Sequence, residues 1–204
     1  AMYKVVEIFQ SIDGEGIRTG ATVNFVRLAG CNLRCSYCDT LYSLFDEEEP
    51  CVYEEMDAEE IMKNLEPRFK RVTLTGGEPL IHKDVTALVN RIAQDGYEVN
   101  IETNGAVDIS EFMRSVNFPE RVFFTIDYKL PTSGMTHKMI NENFFALRPQ
   151  DVIKFVVGNH ADISEMKRVM AELLTHYKEN MPVVYAGAVY GMMGYDKLVD
   201  IILK

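Results

Sequence analysis

The chain has 204 residues, of which 47% are hydrophobic, so we expect one globular domain with a sizeable core spanning residues 1–204. A formal net charge of −10 argues against a nucleic-acid binder, because phosphate recognition depends on clustered Lys and Arg. No apolar run reaches the roughly 18 residues of a membrane span, and no basic segment precedes an apolar signal core, so we expect a cytoplasmic protein with no membrane partner.

The first predicted elements are two strands. Alternating apolar residues predict strands at 3–9 and 22–28, and the turn-rich segment 11–20 between them contains three glycines. Ala1 ahead of Met2 is expected to be an addition before the native initiator. The chain therefore opens on a strand pair joined by a glycine-rich connection.

An acidic stretch follows at 46–60, where nine of fifteen residues are Asp or Glu. We expect a solvated loop that leads into a helix. Asp57 and Glu60 have the spacing of a capping box, which predicts the helix start, and Pro67 marks its end.

From residue 71 onward the pattern alternates between strand and helix. The predicted strands lie at 71–75, 98–102, 121–127, 152–157 and 183–186, and the predicted helices at 84–95, 109–116, 163–179 and 196–203. About six strand–helix repeats imply parallel pairing with right-handed crossovers. A closed barrel needs eight such units, so the fold class is α/β, a partial, open (β/α)6-type barrel with ligands at the carboxyl ends of its strands.

Three cysteines, Cys31, Cys35 and Cys38, form a C-x3-C-x2-C loop after the second predicted strand. Three thiolates can hold a cuboidal iron–sulfur cluster and leave one iron open to a non-protein ligand with an amine and a carboxylate. The alternative is a zinc site completed by Cys51 or a histidine. We expect Cys51 to be an unpaired thiol, and the four histidines to be surface or packing residues: His82, His137, His160 and His176.

Two further motifs end predicted strands. Gly76 and Gly77 permit close backbone approach to a ligand, and the carboxylate of Glu78 can accept a hydrogen bond from a bound ammonium; a simple turn is the alternative. Glu102 and Asn104 bring polar groups to the end of the next strand, where the alternative is a polar turn.

The cysteine loop, with the aromatic Tyr37 before its last cysteine, resembles the radical S-adenosylmethionine (SAM) superfamily, and Gly76-Gly77-Glu78 resembles its GGE element. The resemblance implies a 4Fe–4S cluster on Cys31, Cys35 and Cys38, and SAM cleavage to methionine and a 5′-deoxyadenosyl radical. It also implies SAM contacts from Tyr37, Cys38, Asp39, Gly76, Gly77, Glu78, Glu102, Asn104, Asp127, Tyr128 and Lys129.

Segments 7–16, 25–31 and 38–40 are similar to the 7-carboxy-7-deazaguanine synthase family, well over residues 3–130 and loosely beyond. The resemblance implies a lyase reaction in which 6-carboxy-5,6,7,8-tetrahydropterin contracts to 7-carboxy-7-deazaguanine with loss of ammonia and assistance from Mg²⁺, in queuosine or another 7-deazapurine pathway. It implies Thr40 as the Mg²⁺ ligand and substrate contacts from Ile12, Asp13, Gly14, Glu15, Arg27 and Thr75. It further implies a homodimer and a flavodoxin- or ferredoxin-like reductant.

These implied roles have alternatives. Arg27 suits a bidentate pair with the substrate carboxylate but is also compatible with a surface salt bridge, and Asp39 and Thr40 are also compatible with a helix N-cap. Asp13 replaces the Gln of many relatives and alters substrate reading, because a carboxylate only accepts hydrogen bonds. Relatives often end in a His-Lys segment that covers the substrate, so we expect either a different lid or a missing C-terminal piece.

Two other functions remain open. A glycyl-radical-enzyme activase would use the same cofactors on a protein substrate, although a pocket with carboxylates and a metal suits a small anion better. A non-catalytic iron–sulfur or zinc module would require the cysteine loop and Gly76-Gly77-Glu78 to coincide by chance.

Overall fold

A computed structural model describes residues 1–46 and 50–204, which build one eight-stranded sheet. In the sheet the strands follow the order β3-β1-β2-β4-β5-β6-β7-β8. Their bounds are β1 Tyr3–Ile12, β2 Thr22–Leu28, β3 Glu54–Met56, β4 Arg71–Gly76, β5 Glu98–Thr103, β6 Val122–Tyr128, β7 Val152–Val157 and β8 Val183–Ala188.

Six strands of this sheet, β2 and β4 to β8, are parallel neighbours, while β1 and β3 add antiparallel pairs at one side. The outermost strands, β3 and β8, do not pair with each other among the described residues, so the sheet stays open. The prediction of a partial, open (β/α)6-type barrel is confirmed.

The helices are α1 Ala58–Lys63, α2 Val85–Gln94, α3 Ile109–Ser115, α4 Asn141–Phe145, α5 His160–Tyr177 and α6 Tyr195–Ile202. The predicted capping box is present, because Asp57 accepts from the Glu60 amide and the Glu60 side chain accepts from the Asp57 amide. Helix α5 begins earlier than predicted, since the Asn159 side chain caps it by accepting from the amide of Asp162. None of the helices in the described ranges has the length and apolarity to cross a bilayer.

Two elements escaped prediction. The prediction of a loop for 46–60 is wrong at Glu54–Met56, where β3 pairs with the start of β1; residues 47–49 lie outside the described residues. Helix α4 is a short element between β6 and β7, where we expected none. Both are too short to show a periodic pattern.

The inner strands carry apolar residues towards the helices and polar residues towards the barrel interior, because successive side chains point to opposite faces. In β6, Phe124 and Ile126 are fully buried in the core, and Asp127 lines an interior cavity. The polar residues of the parallel strands are therefore placed to form a binding site.

The β1–β2 connection closes the opposite, amino-terminal end of these strands. Arg18 is buried, and its guanidinium carbon lies 3.7 Å from the ring centre of Phe123 in β6, with its Nε 3.9 Å from Glu98 at the start of β5. Gly16 lies beside Val152, the first residue of β7. The glycine-rich segment 11–20 therefore connects β1 to β2 and also packs against the amino-terminal ends of the parallel strands.

Candidate active site

A cavity of about 850 Å³ occupies the barrel interior and the carboxyl ends of the strands. Its volume is near the upper end for small-molecule sites, which leaves room for more than one ligand. The predicted site residues that line it are Asp13, Gly14, Glu15, Arg27, Cys31, Cys35, Tyr37, Cys38, Asp39, Thr40, Thr75, Gly76, Gly77, Glu102, Asn104, Asp127 and Lys129.

The three cysteines of the loop lie together on one wall of this cavity with free thiols. Cys31 Sγ accepts hydrogen bonds from the Leu33 amide (3.4 Å) and Asn104 Nδ2 (3.6 Å). Burial raises the pKa of the Cys31 thiol, and these two donors oppose the shift. Burial also raises the pKa of Cys35, opposed by the nearby Lys129. Because metals bind the thiolate form, donors and a cation around the sulfurs suit a cluster site.

Neither Cys51 nor a histidine completes a zinc site at this wall among the described residues. Cys51 does not line the cavity, and its Sγ lies 3.9 Å from the carbonyl of Val52. None of the four histidines lines it either; His82 and His176, for example, bond to backbone carbonyls. Within residues 1–46 and 50–204, no three Cys, His, Asp or Glu side chains are grouped to hold a single ion. Three thiols facing a ligand-sized cavity therefore fit a 4Fe–4S cluster.

Gly76 and Gly77 pack closely against residues 28–31, which leave no room for a side chain at either position. A Cβ at Gly77 would lie 2.3 Å from the Gly30 carbonyl oxygen and 2.7 Å from Cys31 Cβ. Gly76 has φ 156°, and a Cβ there would lie 2.2 Å from the Leu28 carbonyl oxygen. The two glycines thus let the end of β4 lie directly against the residues that lead into the cysteine loop.

Glu78 is not on the cavity surface. It is fully buried, and its oxygens accept from the Leu80 amide (3.0 Å), Thr103 Oγ1 (2.9 Å) and the Asn104 amide (2.7 Å). Burial raises the pKa of Glu78 to about 7, while these three donors oppose the rise. The Glu78 carboxylate thus faces the protein interior, and its contact with a bound ammonium stays a prediction.

Glu78 instead acts on the cysteine loop through Asn104. The Asn104 side chain donates to Asn32 Oδ1 at 2.9 Å and to Cys31 Sγ, and its Oδ1 accepts from the Ala106 amide at 3.0 Å. Asn104 also lines the cavity, as predicted. The end of β5 is therefore held rigidly against the cysteine wall.

Asp127 and Lys129 line the cavity and form an ion pair, with Lys129 Nζ 2.7 Å from Asp127 Oδ2. Asp127 Oδ1 and Tyr37 Oη are buried without hydrogen-bond partners, which suits a polar ligand placed between them. Tyr128 does not reach the cavity: it faces the helices and donates to Glu165 Oε1 at 2.8 Å. The alternation of side chains along β6 accounts for this orientation, and a cofactor contact from Tyr128 stays a prediction.

Arg27 points into the cavity from β2, where it is opposite Glu7 of β1. Its Nε donates to Glu7 Oε1 at 2.7 Å, and Tyr42 Oη donates to the same oxygen at 3.0 Å. The Arg27 side chain is 14% exposed and the Glu7 side chain 39%, so the ion pair lies at the edge of the cavity. Glu7 engages Nε, and among the described residues no hydrogen bond is made by the two terminal nitrogens, which suit a carboxylate ligand.

The other predicted substrate residues divide into two groups. Asp13, Gly14, Glu15 and Thr75 line the cavity, with Thr75 donating to Glu102 Oε2 at 2.7 Å. Ile12 does not line it and is 63% exposed, since it ends β1 before the chain turns inward.

Thr40 and Asp39 line the cavity beside the cysteines, with Thr40 Oγ1 3.8 Å from Cys38 Sγ. Thr40 precedes a short 3₁₀ turn, and its side chain makes no capping hydrogen bond there. The N-cap alternative for this hydroxyl is therefore not what the structure shows.

One charged residue of the cavity was not predicted. Lys154 lies on β7, and its Nζ lies 2.8 and 2.7 Å from the two carboxylate oxygens of Glu15. A single lysine within the apolar run Val152–Val157 was the available signal. Further unpredicted lining residues are Phe25, Leu33, Leu44, Thr103, Thr125, Val156, Gly187, Ala188, Val189, Tyr190 and Tyr195.

An open parallel barrel with three cysteines at one wall of its cavity is the arrangement of a radical SAM protein. The family model of the radical SAM superfamily matches residues 25–176, and the chain belongs to that superfamily, whose members use a 4Fe–4S cluster and SAM. Within it, the chain belongs to the 7-carboxy-7-deazaguanine synthase family. It is 41% identical to the 7-carboxy-7-deazaguanine synthase of Clostridium acetobutylicum, over 97% of this chain and 86% of that protein.

Two further comparisons agree. The 7-carboxy-7-deazaguanine synthase of Thermoplasma acidophilum is 34% identical, over 90% of this chain and 82% of that protein. The crystal structure of QueE from Escherichia coli superposes with a TM-score of 0.72 at 23% identity, over 99% of this chain and 88% of that one. The last likeness concerns the fold alone.

Proposed function

We propose that this chain is a 7-carboxy-7-deazaguanine synthase. It converts 6-carboxy-5,6,7,8-tetrahydropterin to 7-carboxy-7-deazaguanine with loss of ammonia, by breaking a carbon–nitrogen bond and contracting the ring. The cofactors are a 4Fe–4S cluster, SAM and Mg²⁺. The relatives of that name, which the chain matches over most of its length, support the assignment.

One observation carries the proposal: a single cavity is lined by the three cysteines and by a largely buried arginine, Arg27, whose hydrogen bond to the described residues is made by Nε. A guanidinium fork recognises a planar carboxylate with two parallel hydrogen bonds. Asp13 and Glu15 add acceptors for ring N–H groups. The cavity therefore combines radical generation with the recognition of a small, carboxylated heterocycle.

The residues of the chain have distinct tasks in this reaction. Cys31, Cys35 and Cys38 would hold the cluster, which with bound SAM supplies the 5′-deoxyadenosyl radical. Arg27 holds the substrate carboxylate and so fixes which ring carbon faces the cluster wall. Apolar side chains such as Leu33 and Leu44 limit water at that wall.

Thr40, with Asp39 beside it, would hold Mg²⁺. A hydroxyl and a carboxylate are hard oxygen ligands, and Mg²⁺ takes few protein ligands while keeping water or substrate oxygens. Thr40 Oγ1 lies 3.8 Å from Cys38 Sγ and lines the same cavity as Arg27, so a Mg²⁺ held there would supply positive charge beside the substrate.

The experiment is an anaerobic incubation of reconstituted, reduced protein with SAM, Mg²⁺ and 6-carboxytetrahydropterin, with the deazaguanine product and 5′-deoxyadenosine followed by mass spectrometry. Product that requires all three components is the expected result. Arg27→Ala should lose product while it keeps its cluster, and Arg114→Ala, at an exposed arginine of α3, is the matched control. Deoxyadenosine without deazaguanine from the unaltered chain would contradict the proposal.

We further propose a cytoplasmic homodimer that receives electrons from a flavodoxin- or ferredoxin-like protein and supplies queuosine or related deazapurines. Light scattering of the holoprotein measures the dimer. Replacement of the chemical reductant by a reduced flavodoxin tests the electron source.

A further inference from the structure

Lys154 crosses the cavity from β7 to the β1–β2 connection. Both of its hydrogen bonds go to Glu15, at 2.8 and 2.7 Å, across a separation of 139 residues in sequence. The Glu15 amide in turn donates to Asp13 Oδ1 at 3.1 Å. Lys154 therefore holds the loop that contains Asp13, Gly14 and Glu15 against β7.

The charges that face Lys154 come from three elements. Glu15 lies on the β1–β2 connection, Asp127 is its register neighbour on β6, and Glu102 lies on β5. Burial by itself would lower the pKa of Lys154, but these carboxylates outweigh burial and raise it. The Lys154 ammonium compensates these carboxylates, because the other two cations that line the cavity among the described residues are already paired, Lys129 with Asp127 and Arg27 with Glu7.

The hydrogen-bonding capacity of the pair is not exhausted. An ammonium has three donors, of which Glu15 takes two, and each carboxylate oxygen has two lone pairs. A free donor beside a free acceptor complements a lactam edge, in which a C=O stands next to an N–H. A pyrimidinone ring, as in a pterin, carries such an edge.

We propose that Lys154 is a positioning and specificity residue that orients Glu15 and, together with it, reads the lactam edge of the pyrimidinone ring. The inference rests on the proposed function and goes beyond it, because it adds a residue that no motif contains. Arg27 then holds the carboxylate of the substrate, while the Lys154–Glu15 pair holds the ring and selects a 4-oxo heterocycle.

The test compares Lys154→Met and Lys154→Arg with the unaltered holoenzyme, and uses Lys197→Met, at an exposed lysine of α6, as the control. Lys154→Met should raise the KM for 6-carboxytetrahydropterin about 10- to 100-fold, the size expected when a hydrogen-bonded charge loses its partner. The kcat should change far less. Lys154→Arg should recover most of the affinity, and Lys197→Met should behave as the unaltered chain.

Two measurements separate this role from a merely structural one. The iron content of Lys154→Met should be the same as that of the unaltered enzyme, because the cysteines are not altered. In the Glu15→Gln background, Lys154→Met should add little to KM, because both residues act as one unit. A KM within twofold of the unaltered value in Lys154→Met would overturn the inference and leave the proposed function intact. An unaltered enzyme that cleaves SAM without making deazaguanine would overturn the proposed function, and the inference with it.

Discussion

Gly77→Ala should weaken both the fold and the cluster site. The added Cβ would lie 2.3 Å from the Gly30 carbonyl oxygen, whereas a carbon–oxygen contact needs about 3.3 Å, so the two segments must separate by about 1 Å. The second neighbour, Cys31 Cβ at 2.7 Å, cannot rotate away. We therefore place the cost at the upper end for overpacking, about 3 kcal/mol.

Each kcal/mol lowers the Tm of a domain of this size by about 2–4 °C, so the expected loss is about 6–12 °C for the cluster-free protein. The assay is thermal unfolding followed by circular dichroism, together with iron and sulfide analysis after anaerobic reconstitution, where we expect reduced occupancy. Gly187→Ala is the matched control, since Gly187 also lines the cavity but a Cβ there meets nothing within 4 Å. Full cluster occupancy and an unchanged Tm in Gly77→Ala would refute the packing role.

Three further substitutions test the placement of other groups. Glu78→Gln should lower the free energy of unfolding by about 1–3 kcal/mol in chemical denaturation, because an amide cannot accept from all three donors; an unchanged midpoint would contradict this. Glu7→Ala should raise the substrate KM about tenfold with kcat retained, since Arg27 loses its support, and an equal KM would remove Glu7 from the site. Tyr128→Phe should leave SAM affinity unchanged in equilibrium dialysis, and a weaker affinity would return Tyr128 to the cofactor site.

The periodic parts of the fold were predictable from the sequence. Strand β7 was predicted with its observed ends, and β4, β5, β6 and β8 to within two residues at each end, because buried parallel strands are short apolar runs between helices with a strong 3.6-residue pattern. Elements of three to five residues were not: β3 forms by pairing with β1, and α4 by packing against α5. Their stability comes from tertiary contacts that no local pattern encodes.

The candidate site was predictable where a motif marks it. The cysteines and the residues at the strand ends do reach one cavity, because parallel strands bring their carboxyl ends to one edge. The Tyr128 side chain lies outside the cavity because the motif names three consecutive residues, while a strand presents only alternate side chains to one face. The Glu78 carboxylate also lies outside the cavity lining, because it is buried and accepts a hydrogen bond from the backbone amide of Asn104.

The β1–β2 connection links the stability of the barrel to substrate recognition. The six parallel strands form an open barrel. At its amino-terminal end, Arg18 packs against Phe123 and lies near Glu98. The same connection carries Asp13 and Glu15 into the cavity a few residues earlier. Lys154 of β7 forms an ion pair with Glu15, so the connection is held both at Arg18 and at Glu15. With the proposed function, a substrate that binds Asp13 and Glu15 also holds this connection in place, and its binding to the folded state raises the free energy of unfolding by mass action.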